Sequence, residues 1–353
     1  MRGLLFHSFA FLFCVSPVVS VPLGGLGSLF GSDSNSGESG DSESQSVPES
    51  SPARVPLPSS NLVVAHFIVG NSYSDVFLLQ KYISNFRDDP RYQRIGDEPL
   101  VSAFSGQDCK FGQSNSNAGW LYAIKRSEPV YFVPAFFVDP AALLDYTVMD
   151  GGFNWNAAWP MGDYDINFDP DNSWIEKLGG RTYMAGVSPW FFTHYSNNKN
   201  FIHLSDNWMF VKRWELLIAN RDRVDIAQSI TWNDFGESHY LSPLLKDDSQ
   251  PDSEKWVDGF DHQGWLDLFA YYIAAFKTGA YPAIERDRIF LWARLYPANA
   301  SPSPPDAVGP PANGRWTHDF LWAVVLLAGP ADVVLQCGST RQTWGLESGL
   351  AKV

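Results

Sequence analysis

Strand-like runs alternating with helix-like spacing constrain this chain more than any other feature. From Asn61 onward six apolar runs each end in polar or Gly/Pro-containing segments: Leu62–Val69, Leu100–Phe104, Val130–Phe137, Phe153–Trp159, Tyr183–Trp190 and Gln228–Trp232. Runs with little polar alternation predict strands covered on both faces, the habit of parallel sheets. Helical spacing fills intervals at Val76–Phe86, Trp208–Asn220 and Gly264–Gly279. In the last, Trp265, Leu268, Phe269, Tyr272, Ile273 and Phe276 share one face. Such alternation, sustained across residues 61–283, predicts an α/β (β/α) barrel.

The flanks read differently. Arg2 and the apolar stretch Leu4–Val19, with Val18 and Ser20 at the end, make residues 1–20 a secretory leader. Residues 21–60 form a linker. Positions 31–60 hold 11 Ser and 5 acidic residues, too little apolar surface to fold. Residues 284–353 predict a small antiparallel β domain, with runs at Arg288–Tyr296 and Phe320–Gln336 around Pro-rich turns. Pro330 and Asp332 interrupt the second run, so strands are expected there rather than a membrane span. Asn299-Ala300-Ser301 is an N-glycosylation acceptor pattern, consistent with secretion. Cys109 and Cys337, the cysteines beyond the leader, either pair or remain two thiols.

A net charge of −14 gives no basic footprint for nucleic acid or an anionic membrane. The 14 Trp serve either as core or as flat platforms for sugar rings. Polar residues gather where the strands end: Asn71 and Tyr73, Asp139, Asn154, Thr193 and His194, then Asp234 and Glu237. In a (β/α) barrel that end carries the chemistry. The stretch Ser229–Tyr240, S-I-T-W-N-D-F-G-E-S-H-Y, places two acids three apart just past an apolar strand. That is either acid/base equipment or a surface turn. No Cys or His spacing matches a metal site, and His194, His239 and His262 contain no helix-spaced ligand pair, so no metal is expected.

The stretches VVAHFIVGNSY (63–73), YFVPAFFVDP (131–140), FNWNAAWP (153–160), YMAGVSPWFFTH (183–194) and ITWNDFGESHY (230–240) resemble glycoside hydrolase family 71, the fungal α-1,3-glucanases or mutanases. The resemblance runs from about residue 62 to the end of the sequence. It implies a TIM-type (β/α)8 barrel followed by a β-sandwich-like domain, and secreted endo-hydrolysis of cell-wall α-1,3-glucan with inversion. It implies no cofactor, and a monomer acting on polysaccharide is expected. Asp234 and Glu237 match the catalytic carboxylates, one the acid and the other the base. Trp232 and Phe235 are placed to desolvate one of them. His66, Asn71, Tyr73, Trp155, Trp190, His194, Asn233 and His239 match sugar contacts, although any one histidine is equally a buried one bonded to backbone.

The resemblance breaks after Ser74. Tyr73-Ser74 runs straight into Asp75-Val76-Phe77-Leu78, which resembles the helix after the family's third strand. Two βα units, each about 30 residues, and an acid that the family carries on its second strand have no counterpart. The gap is either a real loss, leaving a non-catalytic wall-binding protein, or an imperfect gene model.

Overall fold

The computed structural model describes residues 12–14, 62–65, 76–90, 92–126, 129–196, 198–244, 253–301 and 305–353. The rest of the expected leader and linker, together with His66, Asn71 and Tyr73, lies outside the described residues. In chain order the strands are β1 (Leu12–Cys14), β2 (Leu62–Ala65), β3 (Arg94–Ile95), β4 (Glu98–Phe104), β5 (Tyr131–Phe132), β6 (Gly151–Asn154), β7 (Thr182–Val187), β8 (Phe192–Ser196), β9 (Lys199–Ile202) and β10 (Ile226–Ser229). Then come β11 (Arg288–Trp292), β12 (Trp322–Leu327), β13 (Ala331–Cys337), β14 (Thr340–Leu346) and β15 (Gly349–Lys352). The helices are α1 (Val76–Phe86), α2 (Ser116–Trp120), α3 (Asp169–Lys177), α4 (Met209–Ala219), α5 (Glu254–Val257) and α6 (Gly264–Thr278).

The six expected strands join in a parallel array. β4 pairs with β5, and the Phe104–Ala135 bridge extends that pairing. Backbone hydrogen bonds from Asp150 to Phe132 and from Phe153 to Pro134, both 2.9 Å, lead on to β6. β6 pairs with β7, β7 with β10, and β10 with β2. The last of these strands in sequence thus lies beside the first. β1 runs antiparallel along β4, from Leu12 opposite Phe104 to Cys14 opposite Ser102.

Several strands stop earlier than the apolar runs do. β6 ends at Asn154, and Trp155–Ala158 coil into one helical turn. The cause is burial: Trp155, Ala157, Ala158 and Trp159 are all core residues, so the turn is as apolar as a strand. β7 ends at Val187 for a similar reason, since Ser188 turns back to bond the Trp190 carbonyl at 3.0 Å.

Helical spacing gives a closer match. α1 buries Leu79 and Ile83. α6 buries Trp265, Leu268, Phe269, Tyr272, Ala275 and Phe276, at intervals of three and four. It packs on α4 through Phe210–Phe269 at 4.7 Å and stacked Trp214–Tyr272. Gly279 ends it at φ +78°, a conformation that a Cβ would strain, while its N–H reaches the Ala275 carbonyl.

Residues 284–353 do form antiparallel strands. β11, β12 and β15 make one sheet, and β13 with β14 a separate hairpin; the long run from Phe320 divides at Gly329-Pro330. The sheet shares the main core, because Val324 and Leu326 cluster with Trp214, Leu217 and Phe269. Trp208 Nε1 also donates to the Ala323 carbonyl at 2.9 Å. Cys109 and Cys337 are free thiols, and burial pushes Cys109 up to about 12. Among the described residues no helix is long and apolar enough to cross a membrane.

Candidate active site

The segment after β10 folds back on itself. The Thr231 N–H donates to the His239 carbonyl at 2.8 Å, and Leu241 and Ser242 both donate to the Trp232 carbonyl. Phe235 and Tyr240 are buried with Val257, anchoring the loop from below. The Asp234 N–H donates to Thr231 Oγ1 at 2.9 Å, and the Glu237 N–H to Asp234 Oδ1 at 3.1 Å. Both acids are therefore held on one rigid turn, each side chain 20% exposed.

Three groups set their protonation. His239, fully buried, places Nε2 at 3.0 Å from Glu237 Oε2 and 3.9 Å from Asp234 Oδ2, while Nδ1 faces Thr231 Oγ1 at 3.0 Å. Lys199 Nζ sits 2.8 Å from Glu237 Oε1. Burial would raise Glu237, but the His239 hydrogen bond and charge, with Lys199, outweigh it and hold it down at about 2. Asp234 is pushed up to about 6 by burial and by the neighbouring Glu237 charge, against His239 and Lys199. Burial also disfavours the Lys199 ammonium, but Glu237 and Asp234 prevail and keep it above its ordinary value. The result is a divided pair: one carboxyl holds its proton into mildly acidic pH and the other stays ionised.

An oxygen of Asp234, an oxygen of Glu237 and a nitrogen of His239 all lie within 4.8 Å of one another. Such a trio has the donor set for a cation. Yet each Glu237 oxygen already faces a protein donor, Lys199 on one side and His239 on the other.

The sequence profile of glycosyl hydrolase family 71 matches residues 67–353. The chain belongs to this family. A glucan endo-1,3-alpha-glucosidase of Schizosaccharomyces pombe is 36% identical over 281 residues, covering 77% of this chain and 64% of its own. A mutanase of Penicillium rubens is 31% identical over 274 residues, covering 75% and 58%. An ascus wall endo-1,3-alpha-glucanase of S. pombe is 31% identical over 260 residues, covering 69% and 59%. The chain thus spans about three fifths of the length of these relatives. A solved GH99 endo-alpha-mannosidase from Bacteroides thetaiotaomicron aligns with a TM-score of 0.41 and 14% identity, over 57% of this chain and 61% of that one, a likeness too slight to carry an argument.

Within the family 71 chain the expected contact residues meet different fates. Trp155 is 6% exposed and lies edge-on to His239, ring centroids 6.3 Å apart. Asn233 is half-buried beside Asp234. Trp190 carries the Arg294 guanidinium over its ring at 4.6 Å, so a cation from the C-terminal region faces that platform. His194 faces Asn200 Oδ1 at 2.7 Å and Asp306 through its other nitrogen, so both ring nitrogens are engaged within the protein. Asn200 in turn donates to the Gly309 and Pro310 carbonyls. His262 stacks on Tyr240. Asp139 accepts from the Ala141 N–H in a turn role, and Asn154 donates to the Pro170 carbonyl, tying the end of β6 to the start of α3. Asn299 is exposed.

Lys199 and His203 were not legible as site residues. Lys199 lies on the β8–β9 hairpin, which brings it to Glu237 from 38 positions away, beyond any local pattern. His203 stacks on Trp159 and is lowered to about 4, chiefly by burial.

Proposed function

We propose that this chain is a secreted enzyme that hydrolyses α-1,3-glucan of cell walls internally, with Asp234 as proton donor and Glu237 as its anionic partner. The observation that carries this reading is the placement of two acids on one turn past the end of β10, with Lys199 at 2.8 Å and His239 at 3.0 Å from Glu237 while His239 stands 3.9 Å from Asp234. A glycosidic oxygen leaves only if protonated, and Asp234 keeps its proton to about pH 6. Glu237, held ionised by Lys199 and His239, offers negative charge to the developing oxocarbenium ion or directs water to it. Trp155, Trp190, Asn233 and His239 are proposed to hold the sugars, with His66, Asn71 and Tyr73 beyond the described residues. His194 is assigned the positioning of the hairpin that carries Lys199. The names of the relatives support α-1,3-glucan as substrate.

The parallel array is read as a (β/α)8-type barrel that lacks two βα units between β2 and β4, followed by the β region of residues 284–353. The apolar leader and the exposed Asn299 support secretion. Incubating the purified protein with insoluble α-1,3-glucan and with β-1,3-glucan tests the activity. Reducing ends from the α-linked polymer alone are expected; a folded protein that binds the glucan and releases nothing would instead be a wall-binding protein.

The resemblance implies inversion; the alternative is retention with Glu237 as nucleophile. Proton NMR of the first-formed anomer separates the two: β for inversion, α for retention.

A further inference from the structure

A cavity of about 330 Å³ opens beyond the ends of β5 and β6 and beside the first turn of α3. Its size is at the lower end of the roughly 300–1,000 Å³ typical of small-molecule pockets. Phe137, Phe153 and Trp155 supply aromatic wall, and Phe137 is 38% exposed. Asn156 and Ser173 line it with an amide and a hydroxyl, both on exposed residues and without a hydrogen-bond partner among the described residues. No acidic or basic side chain lines it. The cavity meets the carboxylate cluster at Trp155, whose ring is 6.3 Å from that of His239.

We propose that this cavity is a glycan subsite for neutral hexosyl units of the same chain that is cleaved at Asp234 and Glu237. This rests on the hydrolase reading and extends it away from the point of cleavage. The exposed Phe137 ring accepts the apolar face of a sugar ring, and a free amide and hydroxyl match its hydroxyl groups. Uncharged walls favour an uncharged ligand. Neutral phosphate-free sugar meets all three conditions; a charged metabolite would find no counter-charge. Trp155 then has a double position, wall of the subsite on one hand and neighbour of His239 on the other.

The subsite binds ground state and transition state alike, so its loss acts on KM rather than kcat. Asn156→Ala and Phe137→Ala are the two variants, each at an exposed position and each checked by thermal melting. Binding of α-1,3-linked glucose pentaose to the full chain is measured by calorimetry in the Asp234→Asn background, where the ligand is not consumed. Each substitution is expected to weaken binding about tenfold, and to raise KM on soluble α-1,3-glucan by a similar factor with kcat within about twofold. Unchanged pentaose affinity in both folded variants overturns the subsite, even if the enzyme cleaves glucan. Pentaose binding that depends on Asn156 and Phe137, in a chain that cleaves nothing, upholds the subsite and overturns the hydrolase reading instead.

Discussion

At the scale of single residues, Glu237 sits between two donors, one local and one distant. The neutral replacements Asp234→Asn and Glu237→Gln keep size and shape, so they test protonation rather than packing. Each is expected to lower kcat by about 10²–10⁴-fold, with the melting temperature little changed. Near-normal turnover in either variant would reduce that acid to a turn residue. The pH dependence follows from the same contacts. Activity needs Asp234 protonated and Glu237 ionised, so it is expected to fall as pH rises through about 6 and as it drops toward about 2. Stability moves with the same groups in opposite senses. The contribution of Asp234, raised from 3.8, is complete below that value and is lost as pH rises through about 6. That of Glu237, lowered from 4.5, is present above that value and is lost as pH falls through about 2. Lys199→Met removes a cation that lowers both carboxyls. Both limbs of the activity profile should move upward, the acidic limb more, because Lys199 bonds Glu237 directly. A profile that merely shrinks without moving would make Lys199 a packing residue.

Among elements, three helices, α1, α4 and α6, were the most legible part, whereas α2, α3 and α5 were not read. α1 begins and ends where apolar spacing predicts, and α6 differs by one residue, because a 3.6-residue period and a terminal Gly are local signals. The β8–β9 hairpin was not read at all. Its residues Phe192-Thr193-His194-Tyr195 show no clean alternation, and its pairing is held from outside, by Asp306, Gly309 and Asn313 of a later loop. For that reason the acid pair was visible in the sequence while its lysine was not. A second hidden device joins α3, α4 and β7. Arg213 donates from two nitrogens to Asp171 at 2.7 and 2.8 Å, the Tyr183 hydroxyl adds a 2.6 Å bond, and Arg213 Nε reaches the Gly186 carbonyl at 2.9 Å. Asp171 and Arg213 are fully buried, and burial with the Asp171 charge drives the Tyr183 hydroxyl well above its ordinary value. Removing one partner strands the other charge. Asp171→Ala is expected to cost about 3–5 kcal/mol, measured by urea unfolding, whereas Asp165→Ala at the exposed Lys212 pair should cost under about 1 kcal/mol. Equal losses at the two sites would contradict the argument.

For the whole molecule, the strand order puts the consequence of the proposed gap after Ser74 in one place. β10, the last of the parallel strands, pairs with β7 on one side and with the first, β2, on the other, so the pairings are continuous on that side. On the other side, α1 is the one helix between β2 and β4 among the described residues, and the stretch is too short to supply two further strands and their helices. There β4 is paired instead with β1, three residues within the expected leader, running antiparallel. An exposed parallel edge is a template for another chain, and a short strand covers it. Cleavage after residue 20 would remove that cover from Ser102, Ala103 and Phe104. A protein of residues 21–353 is therefore expected to self-associate more than the full-length chain, seen as early elution and light scattering at equal concentration. Inserting the two βα units of a relative between Ser74 and Asp75 should reverse this, because a parallel neighbour then occupies the β4 edge and the barrel closes. The repaired protein should elute as a monomer and melt in one cooperative transition with or without the leader. If residues 21–353 already elute as a monomer and melt cooperatively, β4 needs no neighbour there, and a six-strand array is a complete fold.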